Sequence, residues 1–228
     1  MSNFIQETEA YDIKNPRMKD YYPLVYQLIN TMGYKSVLDV GCASGDFINL
    51  MNIDGVKCIG VDISKELISW AKSNSKNSSQ IFLHGNILED NIKIDNYIDC
   101  ITCFGTAVTI ENLGLLLERL ISFKPKLIFL NDVINVNALD VVVGYRRQQQ
   151  ANFNYPYNIR CAETWRELIK DFPDYSIEFE PYKMKTHLSK NHNPTRNYHS
   201  SIDGEILQRN GMDLILRPYN ILIKSRYF

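Results

Sequence analysis

The stretch Val37 to Phe47, VLDVGCASGDF, restricts the fold more than any other part of the chain. An apolar run that stops at small residues and glycines, and then resumes at helical spacing, reads as a strand, a sharp turn and a helix. Glycine is used where the backbone bends sharply or where a ligand presses on it, and Gly41 and Gly45 stand four apart in this turn. A dinucleotide fingerprint, G-x-G-x-x-G, begun at Gly41 would need glycines where the sequence has Ala43 and Asp46. An acid at Asp46 would also repel phosphate at a helix N-terminus, so a nicotinamide site is disfavoured. A tight strand-to-helix turn without any ligand is the alternative for this stretch taken alone.

Two later stretches weigh against that alternative. Asp62 ends the next apolar run, CIGVDIS, about twenty residues on, where a carboxylate can accept hydrogen bonds from both hydroxyls of a ribose. In HGNI, Asn86 and Ile87 end a third run; an adenine could stack on Ile63 and Ile87 while Asn86 reads its amino edge.

The organisation around these residues is regular. Tyr21, Leu24, Val25, Leu28, Ile29 and Met32 follow helical spacing, with Pro23 tolerated in the first turn and Gly33 as a stop. The runs SVLDVG, VKCIGVDI, QIFLHGN, YIDCITCF and KLIFLND read as strands. Between them GDFINLMN, SKELISWAKS with Ser64 as N-cap, and TIENLGLLLERLISF read as helices, the last placing Leu113, Leu117, Leu120 and Ile121 on one face. After Asn131 the pattern weakens, and residues 132–159 are too long for a simple connection. AETWRELIKDF is a further helix, YSIEFEPYKM a sixth strand and YNILIKS a last one; Asp203-Gly204 and Asn210-Gly211 signal hairpin turns before it. The expected fold is α/β: a doubly wound, mostly parallel seven-stranded sheet with helices on both faces, plus an antiparallel hairpin insertion before the last strand. The strands' C-terminal ends then share one edge, which is where a ligand belongs.

Composition sets outer limits. The 228 residues fit one domain with insertions, divided into an N-terminal helical cap (1–34), a core (35–131) and two insertions (132–159 and 185–219) facing the strand ends. A net charge of -1 argues against a protein built to coat nucleic acid. No apolar run approaches the ~20 residues of a membrane span. The N-terminus lacks the pattern of a signal peptide, and five cysteines without framework spacing suggest reduced thiols, so a cytoplasmic location is expected. Cys100 and Cys103 form a C-x-x-C, but within a strand they face opposite sides of the sheet and read as core thiols.

Together, VLDVGCASG, GVDIS, HGNI and DCITCFGTAVTIEN resemble the motifs of the class I, seven-stranded methyltransferases that use S-adenosylmethionine. The resemblance spans roughly residues 35–131, with Ala43 in place of the commoner middle glycine and Asn86 in place of the frequent aspartate. It implies S-adenosylmethionine as cofactor and S-adenosylhomocysteine as product. Asp39 would lie beside the methionine part, with the backbone of Gly41, Ala43 and Gly45 close by; Asp62 would hold the ribose, and Ile63, Asn86, Ile87 and Phe104 would complete the cofactor site. The flanks YDIKNPRMKDYYPLV and YPYNIRCAETWREL, with the C-terminal ILQRNGMDLILRPYNILIKS, are similar to small methyltransferases of bacterial surface-polysaccharide pathways. That likeness implies Tyr11 and Arg17 over the cofactor, the guanidinium near its carboxylate; bracing of the first helix is the alternative.

Methyl transfer needs mainly alignment, and needs a base only for a weakly acidic alcohol or a protonated amine. Candidates for that role are His199, His192, Asp132 and Tyr145; Arg146, Arg147, Arg196 and His187 are candidates for holding the acceptor. A solvated surface is the competing reading of the arginines and histidines. Convergence of Asp132, His187, His192 and His199 on a metal lacks tight ligand spacing, and no metal is expected. The expected partner is a small polar or anionic acceptor, methylated on oxygen, such as a sugar nucleotide or phosphorylated intermediate, with the protein a monomer or homodimer. RNA or protein methylation, and a non-catalytic cofactor-binding subunit, are the alternatives.

Overall fold

The computed structural model describes residues 18–51, 55–89, 92–94, 97–146, 148, 152, 154–190, 197–212 and 214–228. Helix α1 (Tyr22–Thr31) precedes an alternation of β1 (Ser36–Val40), α2 (Asp46–Met51), β2 (Lys57–Asp62), α3 (Lys65–Ser73), β3 (Gln80–His84), β4 (Cys100–Phe104), a 3-10 turn (Ala107–Thr109), α4 (Leu113–Ser122) and β5 (Leu127–Asn135). A hairpin of β6 (Val141–Tyr145) and β7 (Asn154–Cys161), helix α5 (Ala162–Ile169), β8 (Tyr175–Pro181), a second hairpin of β9 (Asn197–Ile202) and β10 (Glu205–Asn210), and β11 (Pro218–Ser225) complete it. Ser64 caps α3 as expected, its hydroxyl accepting the Leu67 N–H at 3.3 Å. Asn112 does the same for α4 through the Leu115 N–H at 3.0 Å.

The sheet runs β3-β2-β1-β4-β5-β11-β8. Its first five strands are parallel, and β11 is antiparallel to both β5 and β8. Because helices cover both faces, β1, β2 and β4 are apolar along most of their length instead of alternating. One face packs Tyr22, Val25 and Ile29 of α1 with Phe47, Ile48, Ile68 and Phe82; the other packs Leu113, Leu116, Leu117 and Leu120 of α4 with Trp165 and Ile169. Cys100 belongs to the first cluster and Cys103 to the second, so the two thiols do face opposite sides of the sheet. All five cysteines are free and buried.

Two helix faces differ from the sequence expectation. On α4 Leu116 is fully buried and Ile121 only borders the core. On α1 Leu24 and Met32 are exposed, while Tyr21 and Tyr22 are buried against the aromatic residues of the sheet edge. The long connection after Asn131 also has regular structure: β5 continues to Asn135, paired with β11 as far as Val133, and β6 and β7 form a hairpin beyond it. β7 adds in parallel to the tip of β5 through Ile134 and Arg160.

The second insertion contains the expected antiparallel ribbon. Asp203 and Gly204 take φ values of 51° and 82° in its turn. It leaves the sheet at Pro181 and re-enters at Pro218, which pairs with Val133 near the end of β5. Both insertions therefore hang from the edge where β1 to β5 end. Among the described residues no helix is long and apolar enough to cross a membrane.

Candidate functional site at the β1–β4 edge

Strand order reverses between β1 and β4, and such a reversal opens a crevice beyond the C-terminal ends of the strands. The glycine turn lines it. Gly41, Ala43 and Gly45 all adopt positive φ (71°, 48° and 74°), and the N–H groups of Gly41 and Cys42 donate to the Val61 carbonyl. Side chains from the protein itself account for both glycines. A Cβ on Gly41 would sit 2.0 Å from Thr106 Oγ1, and one on Gly45 would sit 2.6 Å from the Phe82 ring. Ala43 takes a left-handed conformation that a glycine would adopt without strain.

Asp62 fastens this turn. Its Oδ2 accepts the Ala43 N–H at 2.9 Å and its Oδ1 accepts the Ser64 N–H at 2.8 Å. Each oxygen keeps a second lone pair, enough for the two hydroxyls of a ribose. Burial raises the pKa of Asp62, against those two backbone bonds. Asp39 is 2% exposed, and its Oδ1 accepts the Thr102 hydroxyl at 2.8 Å. Burial pushes Asp39 up to about 7, opposed by the Thr102 bond and the Lys19 charge.

The third strand end is more closed. Ile87 is buried and its carbonyl accepts from Arg119 Nε at 3.1 Å; Ile63 is half-buried. Asn86 Oδ1 accepts the Leu88 N–H at 3.1 Å. His84 Nε2 lies 3.1 Å from the Ile63 carbonyl, a local bracing contact.

Aromatic rings form the wall of the crevice on the α1 side. Phe104, the last residue of β4, packs on Tyr21 (4.8 Å between centroids), Tyr22 (5.5 Å) and Phe47 (5.2 Å), and Tyr182 stands edge-on to Tyr21 at 5.6 Å. The Lys19 ammonium lies 5.9 Å from the centroids of both Tyr21 and Tyr22. Asp20, next in sequence, accepts from the Thr186 N–H at 2.8 Å, from the Lys185 N–H and from the Thr186 hydroxyl, tying the second insertion to the start of α1.

The described candidates for catalysis each have their own hydrogen-bond or packing environment. Asp132 is buried, and both its oxygens are engaged by backbone: Oδ2 by the Val108 N–H at 2.8 Å and Oδ1 by the Val133 N–H at 2.7 Å. Burial pushes it up to about 7. His199 is held reciprocally to Leu188: its N–H donates to the Leu188 carbonyl and its Nδ1 accepts the Leu188 N–H at 3.0 Å. That bond places the proton of the neutral ring on Nε2, which suits a fastener better than a base. His187 is exposed, with its ring 5.6 Å from that of His199. Tyr145 ends β6, half-buried, and Arg146 follows it, exposed. Tyr11, Arg17, Arg147, His192 and Arg196 lie outside the described residues. Among the described residues no three of His, Cys, Asp and Glu converge as metal ligands.

Sequence reasoning missed Lys19, Asp20, Thr106 and Tyr182. The spacing of the residues around them gave no sign of these long-range contacts.

The chain from residue 11 to 181 matches the family model described as "Methyltransferase domain". Solved structures share the architecture at low identity. A S-adenosylmethionine-dependent methyltransferase from Clostridium acetobutylicum is 11% identical with a TM-score of 0.59, covering 90% of each chain. The YcgJ protein of Bacillus subtilis is 14% identical with a TM-score of 0.58, covering 90% of this chain and 97% of that one. Magnesium protoporphyrin IX methyltransferase from Synechocystis, solved with bound S-adenosylhomocysteine, is 12% identical with a TM-score of 0.54, covering 90% and 82%. At these identities the likeness establishes the fold, while the family match spans more than half of the sequence: the protein is a methyltransferase-domain enzyme.

Proposed function

We propose that the protein transfers a methyl group from S-adenosylmethionine to an oxygen of a small polar metabolite. The observation that carries this reading is the Asp62 carboxylate, held at the end of β2 against the backbone of the glycine turn at the strand-order reversal. The donor set fits an adenosyl amino acid. Asp62 would take the ribose hydroxyls, the faces of Ile63 and Ile87 with Asn86 would take the adenine, and Asp39 with Lys19 offers one charge of each sign to a zwitterionic end. When bound, the cofactor supplies an electrophilic methyl on a sulfonium.

The chain's own task is then alignment and exclusion of water. Phe104, Tyr21 and Tyr22 provide an apolar wall beside the site of transfer, and Asp39 moves to its ionised form as a cationic ligand arrives. Arg146, exposed within the first insertion, would face an anionic part of the acceptor. A sugar nucleotide or phosphorylated intermediate of surface-polysaccharide assembly is the acceptor suggested by the flanking sequences.

A mass-spectrometric screen with methyl-labelled S-adenosylmethionine, run against sugar nucleotides, phosphorylated metabolites and RNA, tests this reading. The expected product is an O-methylated small molecule. Methylation of RNA alone would contradict it.

A further inference from the structure

We propose that the acceptor presents a neutral, hydroxyl-bearing group to a shelf made by Asn131, Asn220 and Tyr182, with the Tyr182 hydroxyl as its hydrogen-bond partner. This rests on the methyl-transfer function above and names the chemistry of the end that reacts. Phe104, Asn131, Asn220 and Glu180 are register partners across four adjacent strands, so their side chains share one face of the sheet. Phe104 shows which face: its ring meets Tyr21 and Tyr22 at the start of α1. Tyr182 follows Glu180 by two residues, the spacing that returns to the same face, and its ring meets the same Tyr21.

The shelf thus begins at the end of β4, beside the cofactor crevice, and runs outward beneath Tyr21. It is polar and neutral. Asn131 Nδ2 donates to Asn220 Oδ1 at 2.8 Å, and each carboxamide retains further capacity to donate or accept. The Tyr182 hydroxyl is buried and, among the described residues, has no hydrogen-bond partner. Buried polar groups in folded proteins are nearly always paired, and a cost borne by the free protein is recovered when a ligand supplies the partner. Burial, followed by the negative charge of Asp20, pushes the phenol up to about 12, so it stays protonated and works as donor or acceptor, not as a base.

Charge selects the ligand. Glu180 continues the row and Asp20 lies near the phenol, its carboxylate bonded to Lys185 and Thr186. Two acids beside the shelf oppose a phosphate or carboxylate there and tolerate a hydroxyl. Any anionic part of the acceptor therefore points away from Asp20 and Glu180, toward the first insertion.

Tyr182→Phe tests the shelf with three readouts. The melting temperature of the unliganded variant is expected to equal or exceed that of the wild type, because the lost hydroxyl has no partner; a fall of several degrees would show a structural bond and overturn the proposal. The Kd for S-adenosylhomocysteine should stay within about twofold. Transfer from labelled S-adenosylmethionine to hydroxyl-bearing sugars and sugar nucleotides should lose at least about tenfold in kcat/KM. Wild-type rates in the variant, methylation at a phosphate or carboxylate oxygen, or a wild type that binds S-adenosylhomocysteine yet methylates no hydroxyl-bearing compound would each overturn it. Failure of the wild type to bind S-adenosylhomocysteine would instead count against the function proposed above.

Discussion

The side chain of Thr106 fills the space directly over Gly41, so that a Cβ at Gly41 would fall 2.0 Å from Thr106 Oγ1. The second residue beyond β4 thereby sets the shape of the turn after β1, across the strand-order reversal. Gly41→Ala is expected to cost about 1–2 kcal/mol for its left-handed backbone alone, plus the clash. Adding Thr106→Ala should relieve the contacts with Oγ1 and Cγ2, leaving the 2.9 Å approach to the residue 106 Cβ and the backbone cost. Urea unfolding of the two single variants and the double variant measures this coupling; strict additivity would refute it.

Ala43 offers the reverse test. It holds a left-handed φ of 48° that costs about 1–2 kcal/mol, while glycine adds about 0.4–1 kcal/mol of chain entropy to the unfolded state. Ala43→Gly should therefore stabilise the unliganded protein by about 0.5–1 kcal/mol and leave the Asp62 bond to the residue 43 N–H in place. A destabilised variant would show that the methyl group packs productively.

Asp132 is expected to matter for stability. Asp132→Ala strands the Val108 and Val133 N–H groups, each worth about 1–3 kcal/mol when buried without a partner. A loss of about 2–4 kcal/mol in chemical unfolding is expected, and Asp132→Asn, which keeps one acceptor oxygen, should lose less. A full-strength fold with no transfer activity would point to a catalytic carboxylate instead.

The pH dependence follows from Asp39, whose folded pKa of about 7 exceeds its ordinary value of 3.8. A raised folded pKa contributes stability that is present below the unfolded value and lost as pH rises, so the unliganded protein should lose stability from about pH 4 to pH 7. Asp132, also raised to about 7, adds a slope of the same sign. Affinity for S-adenosylhomocysteine should move oppositely, weakening by up to about tenfold per unit below pH 7, because its ammonium group favours the ionised carboxylate. Asp39→Asn should flatten the affinity curve in titration calorimetry and reduce the stability slope in thermal melts to the share that Asp132 contributes.

Local patterns made much of this molecule legible. The glycine turn, the Asp62 strand end, the Ser64 cap and the Asp203-Gly204 hairpin each declare themselves within a few residues, because their geometry is enforced by neighbours in sequence. The β6–β7 hairpin did not: Val142 is exposed while the other residues of β6 are half-buried, so the strand lacks the alternation of a half-buried one, and its partner begins only at Asn154. The face of α1 was blurred by apolar residues all round, and only the aromatic edge of the sheet decides that Tyr21 and Tyr22 turn inward while Leu24 and Met32 do not. Thr106 over Gly41, Asp20 on Thr186 and Tyr182 under Tyr21 join residues 65 to 166 positions apart, beyond the reach of any sequence window.

Titration calorimetry of S-adenosylhomocysteine into the wild type and Asp62→Ala bears most directly on the site as a whole. Saturable 1:1 binding to the wild type, weakened at least about a hundredfold in the variant, is the predicted result. Equal affinity in the two proteins, or no binding to the wild type, would contradict the assignment of the β1–β4 edge to an adenosyl cofactor.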